Sequence, residues 1–336
     1  PQRRKVRRFA TTIVEDLAGI VAADLSQGGI LSQRLAGYEE RQAQLEMAVV
    51  VAKALTKEHH ALLEASTGTG KSLAYLLPII RSGKGAIIST ANKALQEQLF
   101  YKDIPFVQKN VQEFEAALVK GVGNYICLDR LNAEHNGTLN LSPSSHLARL
   151  WDITQEFELT ISGDFETIGF TVPAEVRSRV NVDRDECAWE KCDFYEKCYM
   201  RAMKNRAARA QVVVVNHTLL LLDAATGGFI LPQREVTVVD EAHHLEEEAT
   251  SAFTISVNQS QVYALLSLSR LRAHTAAHLQ DEARKQAVLA WDELERSAQP
   301  GAKGRVNLRR PVEEALKLSV AIEKLAKSLE EHRPLY

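Results

Sequence analysis

Three groups of residues in this chain have the types and spacing to do chemistry. The first is the run Glu64-Ala65-Ser66-Thr67-Gly68-Thr69-Gly70-Lys71-Ser72. Glycine lets a backbone curl until several N–H groups point at one anion. A helix opening near Lys71 adds the positive end of its dipole. Lys71 can reach β- and γ-phosphates, and Ser72 can offer its hydroxyl to Mg²⁺. Read this way, Ser66, Thr67, Gly68, Thr69, Gly70, Lys71 and Ser72 cradle the phosphates of ATP. The strict pattern wants Gly where Ala65 stands, so a plain Gly-rich strand-to-helix turn is the alternative.

The second group is Val238-Val239-Asp240-Glu241-Ala242-His243. Apolar residues running into an acidic pair describe a buried strand that ends at a metal. Asp240 would hold Mg²⁺, largely through water, and Glu241 would orient and deprotonate the attacking water. A capped strand end with a solvated acid cluster is the alternative, helped by Glu246–Glu248. The third group is the cysteines, Cys127, Cys187, Cys192 and Cys198, four in all. The last three are spaced C-x₄-C-x₅-C. Disulfides are rare in a cytosolic chain, so four thiols read first as a metal site. Tetrahedral zinc and a [4Fe–4S] cluster both fit. The absence of paired C-x₂-C knuckles leans toward iron–sulfur without deciding it.

These groups need elements to position them. An apolar triplet, Ala61-Leu62-Leu63, predicts a strand before the Gly-rich turn, and a helix follows from Ser72. A helix precedes it over 44–55, and 1–36 reads as helical lead-in through Ile13, Leu17, Ile20 and Val21. Ala86-Ile87-Ile88 predicts the next strand and 92–101 a helix. Val212–Val215 and Val236–Asp240 predict two more strands. Strands alternating with helices indicate an α/β fold with a mostly parallel sheet. Residues 121–200 break that rhythm; they are polar, with little apolar core expected of their own. From about 257 the pattern is helical, and Leu318, Ile322, Leu325 and Leu329 share one helix face.

The chain has 336 residues, a length that suits about two domains. Its net charge is −2, so any nucleic-acid binding must come from local patches. Two basic runs qualify. One is Arg3, Arg4, Lys5, Arg7 and Arg8; the other is Lys197, Arg201, Lys204, Arg206 and Arg209. A solvated charge run is the plain reading of each. No apolar stretch reaches the roughly 18 residues of a membrane span, and no secretory leader is evident. A cytoplasmic chain is the default expectation. The chain starts at Pro1 rather than Met, which suggests a piece of something longer.

With these residues together, the chain resembles superfamily 2 DNA helicases of the DinG/YoaA type, which are XPD-like. Asp240-Glu241-Ala242-His243 resembles their DEAH box, and Ala65 is normal in their phosphate loop. The resemblance makes Lys71, Asp240, Glu241 and His243 the catalytic set. It makes Gln44, in Tyr38-Glu39-x-Arg41-x-x-Gln44, the reader of adenine. Ser89, Thr90 and Lys93 resemble motif Ia, which touches a DNA backbone. Gly121-x-Gly123-Asn124-Tyr125-x-Cys127 followed by the C-x₄-C-x₅-C group resembles the family's [4Fe–4S] site. Arg201, Lys204 and Arg206 would then lie beside the single-strand path. Trp189, Phe194, Tyr195 and Tyr199 could shield the cluster or simply pack.

The resemblance implies a RecA-like P-loop motor domain with an iron–sulfur insert and a helical arch insert. The expected division is a lead-in over 1–36, motor domain over 37–120, cluster insert over 121–205, motor domain again over 206–250, and arch over 251–336. It implies 5′-to-3′ translocation on single-stranded DNA, with 5′-tailed or forked duplexes as substrates. A second motor domain, which supplies an arginine finger, is expected to be missing from this chain, so the chain alone should bind nucleotide weakly. The alternatives are a nuclease-linked or repair accessory ATPase, with an exonuclease domain upstream, and a non-catalytic DNA-binding or redox-sensing module.

Overall fold

The computed structural model describes residues 16–35, 37–66, 68–137, 145–157, 162–183, 187–254, 257–267, 271, 274–297 and 311–331. The chain divides into two compact units, Pro1–Phe253 and Thr254–Tyr336.

The first unit is built on a four-stranded sheet, all parallel. Its strands are β1 (Ala86–Thr90), β2 (Ala116–Leu118), β3 (Val212–Asn216) and β4 (Val236–Val239), in the spatial order β2-β3-β1-β4. Strands of such a sheet are covered on both faces and so read as unbroken apolar runs, which is why Val212–Val215 shows no alternation. The pleat still sorts them. Ala86, Ile88, Val212 and Val214 enter one core with Val21, Ala48, Leu76 and Ile80. Ile87, Ala117, Val213 and Val215 enter another with Met200, Met203 and Ala207.

Helices α1 (Leu17–Leu25), α2 (Ile30–Arg34), α3 (Gln42–Lys57) and α4 (Lys71–Ser82) supply residues to the first core. Arg81 on α4 binds Asp24 on α1 through both carboxylate oxygens, at 2.8 and 3.0 Å. After β1 the expected helix runs further than 101. It comprises α5 (Lys93–Gln98), a π-helical stretch Leu99–Asp103 and α6 (Ile104–Asn110). Pro105 lacks the N–H that a regular helix would use there, which accounts for the wider turn.

The expected strand Ala61–Leu63 does not form. Leu62 is 96% exposed, and none of the three backbones bonds to the sheet among the described residues. An apolar triplet becomes a strand only where a neighbouring edge supplies hydrogen bonds. Strand β2, by contrast, is not evident from the sequence pattern.

The described residues between 121 and 183 are more regular than expected. They contain α7 (Leu128–Gly137), α8 (Ser145–Phe157) and α9 (Ala174–Val180). These helices do close a core of their own: Ile126, Leu131, Leu147, Leu150, Phe165, Val180 and Tyr199 are all buried together. The chain then passes through α10 (Tyr199–Arg209), β3, α11 (His217–Ala225), β4 and α12 (Leu245–Phe253).

The second unit is helical. It comprises α13 (Gln259–Ser267), α14 (Ala277–Ser297) and α15 (Glu313–Glu331). Leu318 and Leu325 are buried against Ala283, Ala287 and Ala290, with Ile322 and Leu329 beside them. The helix face expected from their spacing is therefore the one that packs. No helix of the described residues is long and apolar enough to cross a membrane.

Candidate functional site

In open parallel sheets the crevice beyond the carboxyl ends of the strands is where ligands bind. Here that edge holds Thr90 at the end of β1 and Asp240 directly after β4. The Asp240 N–H donates to the Ser89 carbonyl at 2.8 Å, extending the β1–β4 pairing up to the acidic pair.

The Gly-rich turn faces the same edge. Gly68 and Gly70 have φ of +80° and +85°, and Gly70 precedes the first residue of α4. The left-handed φ of Gly70 favours glycine, and a Cβ there would stand 2.2 Å from Gln44 Nε2 and displace that side chain. Thr69 is buried, and its hydroxyl donates to the Ser66 carbonyl at 2.7 Å. Thr67 lies outside the described residues. Two side chains at the start of α3 hold the turn from outside. Arg41 Nη1 donates to the Gly68 carbonyl at 2.5 Å, and Gln44 Nε2 to the Gly70 carbonyl at 2.9 Å. Gln44 is 5% exposed, and the one bond from its amide nitrogen goes to the loop. The sequence motif brings Gln44 to the phosphate loop, and Arg41 joins it.

Lys71 Nζ stands 2.8 Å from Glu241 Oε1. A hydrogen bond from Lys71 is the main reason the Glu241 carboxyl lies below the usual range. Glu241 itself has φ of +56° and ψ of +46°, a left-handed backbone that a non-glycine residue adopts at a cost. His243 Nδ1 is 3.6 Å from Glu241 Oε2, and its ring stacks at a tilt on His244. Asp240 accepts a hydrogen bond from Tyr75 Oη at 3.2 Å. Burial, and then the charge of Glu241, push the Asp240 carboxyl above the usual range.

Asp103, at the end of the π-helical stretch, is a neighbour the motifs do not reveal. Burial raises its carboxyl, a hydrogen bond with Ser72 lowers it, and Asp240 adds its own repulsion. Ser72, Asp103 and Asp240 therefore gather hard oxygen donors in one place, the donor chemistry Mg²⁺ takes. A wide helical turn at a functional edge is a recurrent feature, and Pro105 is the signal that could have pointed to it.

The residues that resemble motif Ia stand at and after the end of β1. Ser89 and Thr90 are fully buried, and Ser89 Oγ is 2.7 Å from His217 Nδ1. The Thr90 hydroxyl points to the Asn92 carbonyl at 3.4 Å. Lys93 is half-exposed and bound to Glu166 at 2.7 Å.

The four cysteines are free and half-buried. Cys127 precedes α7, whose Asp129 and Arg130 N–H groups bond its sulfur, while burial pushes its thiol up. Burial likewise raises Cys192, which also feels Cys198 and Cys187. Cys198 precedes α10, its carbonyl accepting from the Ala202 N–H at 2.9 Å. The donor set suits an iron–sulfur cluster or zinc, since four thiols share one lobe within electrostatic reach. Among the described residues, however, no three His, Cys, Asp or Glu side chains converge tightly enough to hold a metal ion.

On α10, Tyr199, Met200, Met203 and Ala207 face inward, and Lys204 and Arg206 face solvent. Arg201 is tied to Glu196 and lies over the Tyr195 ring; Lys204 lies over the Trp189 ring. Of the four aromatics near the cysteines, Tyr199 is core and Trp189 is 45% exposed.

The DEAD/DEAH box helicase family model matches residues 46–135. The ATP-dependent DNA helicase YoaA of Haemophilus influenzae is 37% identical over 256 residues, 74% of this chain and 40% of the relative. YoaA of Escherichia coli K12 is 34% identical over 300 residues, 85% of this chain and 46% of the relative. The protein named 3′-5′ exonuclease DinG of Bacillus subtilis 168 is 32% identical over 229 residues, 66% of this chain and 24% of the relative. The chain thus spans less than half the length of these relatives. With its phosphate loop set against a DEAH box, the chain belongs to the DinG/YoaA family of DEAD/DEAH-box helicases.

Proposed function

We propose that this chain is the ATP-binding motor part of an ATP-dependent DNA helicase, with a RecA-like P-loop domain. The observation that carries the reading is the Lys71–Glu241 pair, which joins the phosphate loop to the DEAH box at the sheet's carboxyl edge. ATP would enter with its phosphates over the N-terminus of α4, where unpaired N–H groups and the helix dipole favour an anion. Lys71 would then transfer from Glu241 to the β- and γ-phosphates. Glu241, released, would accept a proton from the water it orients. His243 stands beside Glu241 and would steady that carboxylate. Ser72 and Asp240 would hold Mg²⁺, which supplies charge stabilisation on the phosphates.

Cys127, Cys187, Cys192 and Cys198 would hold a [4Fe–4S] cluster, which would tie the 121–205 insert together when bound. The helical unit would belong to an arch insert over 251–336. Single-stranded DNA would be gripped through phosphates by Lys204 and Arg206 on the outer face of α10, with Arg201 added when it leaves Glu196. The relatives' names support unwinding, and the family resemblance supports 5′-to-3′ movement in repair or replication at the nucleoid. A second motor domain would complete the catalytic site.

A nuclease-linked reading, with an exonuclease domain elsewhere in the polypeptide, is favoured only by the name of the Bacillus relative. Strand displacement by the full-length protein tests the proposal. ATP-dependent opening of a 5′-tailed duplex but not a 3′-tailed one is expected. Degradation without displacement would favour the nuclease-linked reading instead.

A further inference from the structure

β1 ends and α11 begins at a buried polar pair that the phosphate site does not use. Ser89 and His217 are both 0% exposed, with Oγ and Nδ1 2.7 Å apart. Burying a hydroxyl and an imidazole is unfavourable unless they are paired, and this bond satisfies only one end of the ring. His217 Nε2 is buried as well, and it makes no hydrogen bond among the described residues. Burial is the largest influence on the ring and pushes its pKa below the usual histidine range. The backbone of Glu241 and Asp240 acts in the opposite sense, which places the ring against the DEAH peptide.

The surroundings make this ring a fixed strut. Ser89 receives the Asp240 N–H on its own carbonyl at 2.8 Å, so one residue holds both the strand end and the imidazole. Asn216 Oδ1 caps α11 by accepting from the Leu219 N–H at 2.9 Å. Thr218 Oγ1 donates to Glu248 on α12 at 2.8 Å, tying the start of α11 to the helix that follows the DEAH box. Glu241, the residue in need of support, occupies the left-handed region.

We infer that His217 is a positioning residue for Glu241, with Nε2 poised to hold the Asp240–Glu241 peptide when that peptide turns, while Ser89 holds the ring through Nδ1. The inference rests on the phosphoryl-transfer reading of the site. In this arrangement the Ser89 hydroxyl would donate to Nδ1 at 2.7 Å, and the neutral ring would carry its proton on Nε2. When Glu241 leaves Lys71 for a nucleotide's water, its peptide turns and Nε2–H closes onto a carbonyl of that peptide. His217 touches no reacting atom; it sets where the carboxylate points.

The test compares two substitutions in the full-length protein. His217→Asn keeps an acceptor where Nδ1 was and removes the distal nitrogen. His217→Gln keeps a distal N–H. The expected result is a kcat about 10- to 100-fold lower for His217→Asn, with affinity for a fluorescent ATP analogue within about twofold of wild type. His217→Gln should recover turnover to within about fivefold. Equal losses in both variants that follow a fall in melting temperature would overturn the inference, as would normal turnover in both. Nitrogen-15 spectra of the ring, assigned through these variants, give an answer that does not depend on turnover. A proton on Nε2 is expected, and a proton on Nδ1 overturns the inference. If wild type and Glu241→Gln alike fail to hydrolyse ATP, the reading of the site falls by itself, and the ring's tautomer still decides the placement of His217.

Discussion

Lys71 Nζ lies 2.8 Å from Glu241 Oε1, so the residue that would hold phosphate and the residue that would activate water neutralise each other. On the proposed mechanism, ATP would have to break this pair to be hydrolysed. The pair would then be the resting state of the site, with about a quarter of each side chain open to solvent.

Lys71→Ala is expected to weaken ATP binding about 10- to 100-fold, the loss of one charge-assisted hydrogen bond. Stability should change by less than about 1 kcal/mol, because the pair is partly exposed. The Lys71 hydrogen bond holds the Glu241 carboxyl below the usual range. Its small stabilising contribution is present above the unfolded carboxylate pKa and is lost as pH falls through the folded value. A nucleotide titration and a melting curve at neutral and acidic pH check both statements; unchanged affinity would contradict the first.

Much of this site is legible in the sequence because its chemistry is local. The glycines at 68 and 70, Lys71 and the acidic pair stand within short motifs, and Val212–Val215 announces a doubly covered strand. The partners supplied by tertiary contact are not. Nothing near Ser89 points to His217, and Arg41 meets Gly68 only because α3 runs beside the loop. Local pattern also misleads. Ala61–Leu63 has the composition of a strand but no edge to join, whereas Ala116–Leu118 is as short and pairs with β3. The polar 121–183 stretch conceals its core because the residues that build it come from separate short helices and loops.

A second network merits a direct test. Lys120 binds Asp164 at 2.6 Å and also binds Glu166, which reaches Lys93 on α5 at 2.7 Å. The Lys120 and Asp164 side chains are 9% and 5% exposed. Lys120→Ala strands a buried carboxylate and should cost about 3 kcal/mol. Burial opposes the charge of Lys120, yet its hydrogen bonds with Asp164 and Glu166 prevail and raise its pKa. Burial also opposes ionisation of Glu166, and hydrogen bonds from Lys120 and Lys93 prevail and lower its pKa. The Lys120 contribution is present below the unfolded lysine pKa and lost as pH rises through the raised folded value. The Glu166 contribution is present above the unfolded glutamate pKa and lost as pH falls through the lowered one. The difference in stability between wild type and variant should thus be flat from about pH 5 to about pH 10 and shrink on either side. Denaturant melts across that range measure it; a difference that grows in acid would refute the network.

Each of Cys127, Cys187, Cys192 and Cys198 changed to Ser should abolish a cluster holding iron and sulfide in equal amounts in anaerobically prepared protein. The lobe should keep most of its helical signal, since Leu131, Leu150, Phe165 and Val180 form a core that needs no metal. Burial raises the Cys127 and Cys192 thiols, so in metal-free protein they should alkylate slowly until pH passes the ordinary thiol range. Zinc without iron after anaerobic preparation would contradict the cluster assignment.

Replacing Arg201, Lys204 and Arg206 together by Ala should weaken single-stranded DNA binding alike for all sequences. The salt slope of binding should fall by about 0.7 for each phosphate that is no longer neutralised. Arg201 is already engaged by Glu196, so Arg201→Ala alone should change the slope least. Titrations at several salt concentrations give the slopes, and an unchanged slope for the triple variant would make this face a solvated surface.

The most direct test of the account is DNA-stimulated ATP turnover by the full-length protein with Glu241→Gln beside wild type. The substitution leaves Lys71, Ser72 and Asp240 in place, so ATP affinity should stay within a few-fold while hydrolysis falls by about 100-fold or more. Hydrolysis by Glu241→Gln at the wild-type rate would contradict the assignment of Glu241 and the phosphate site built around it.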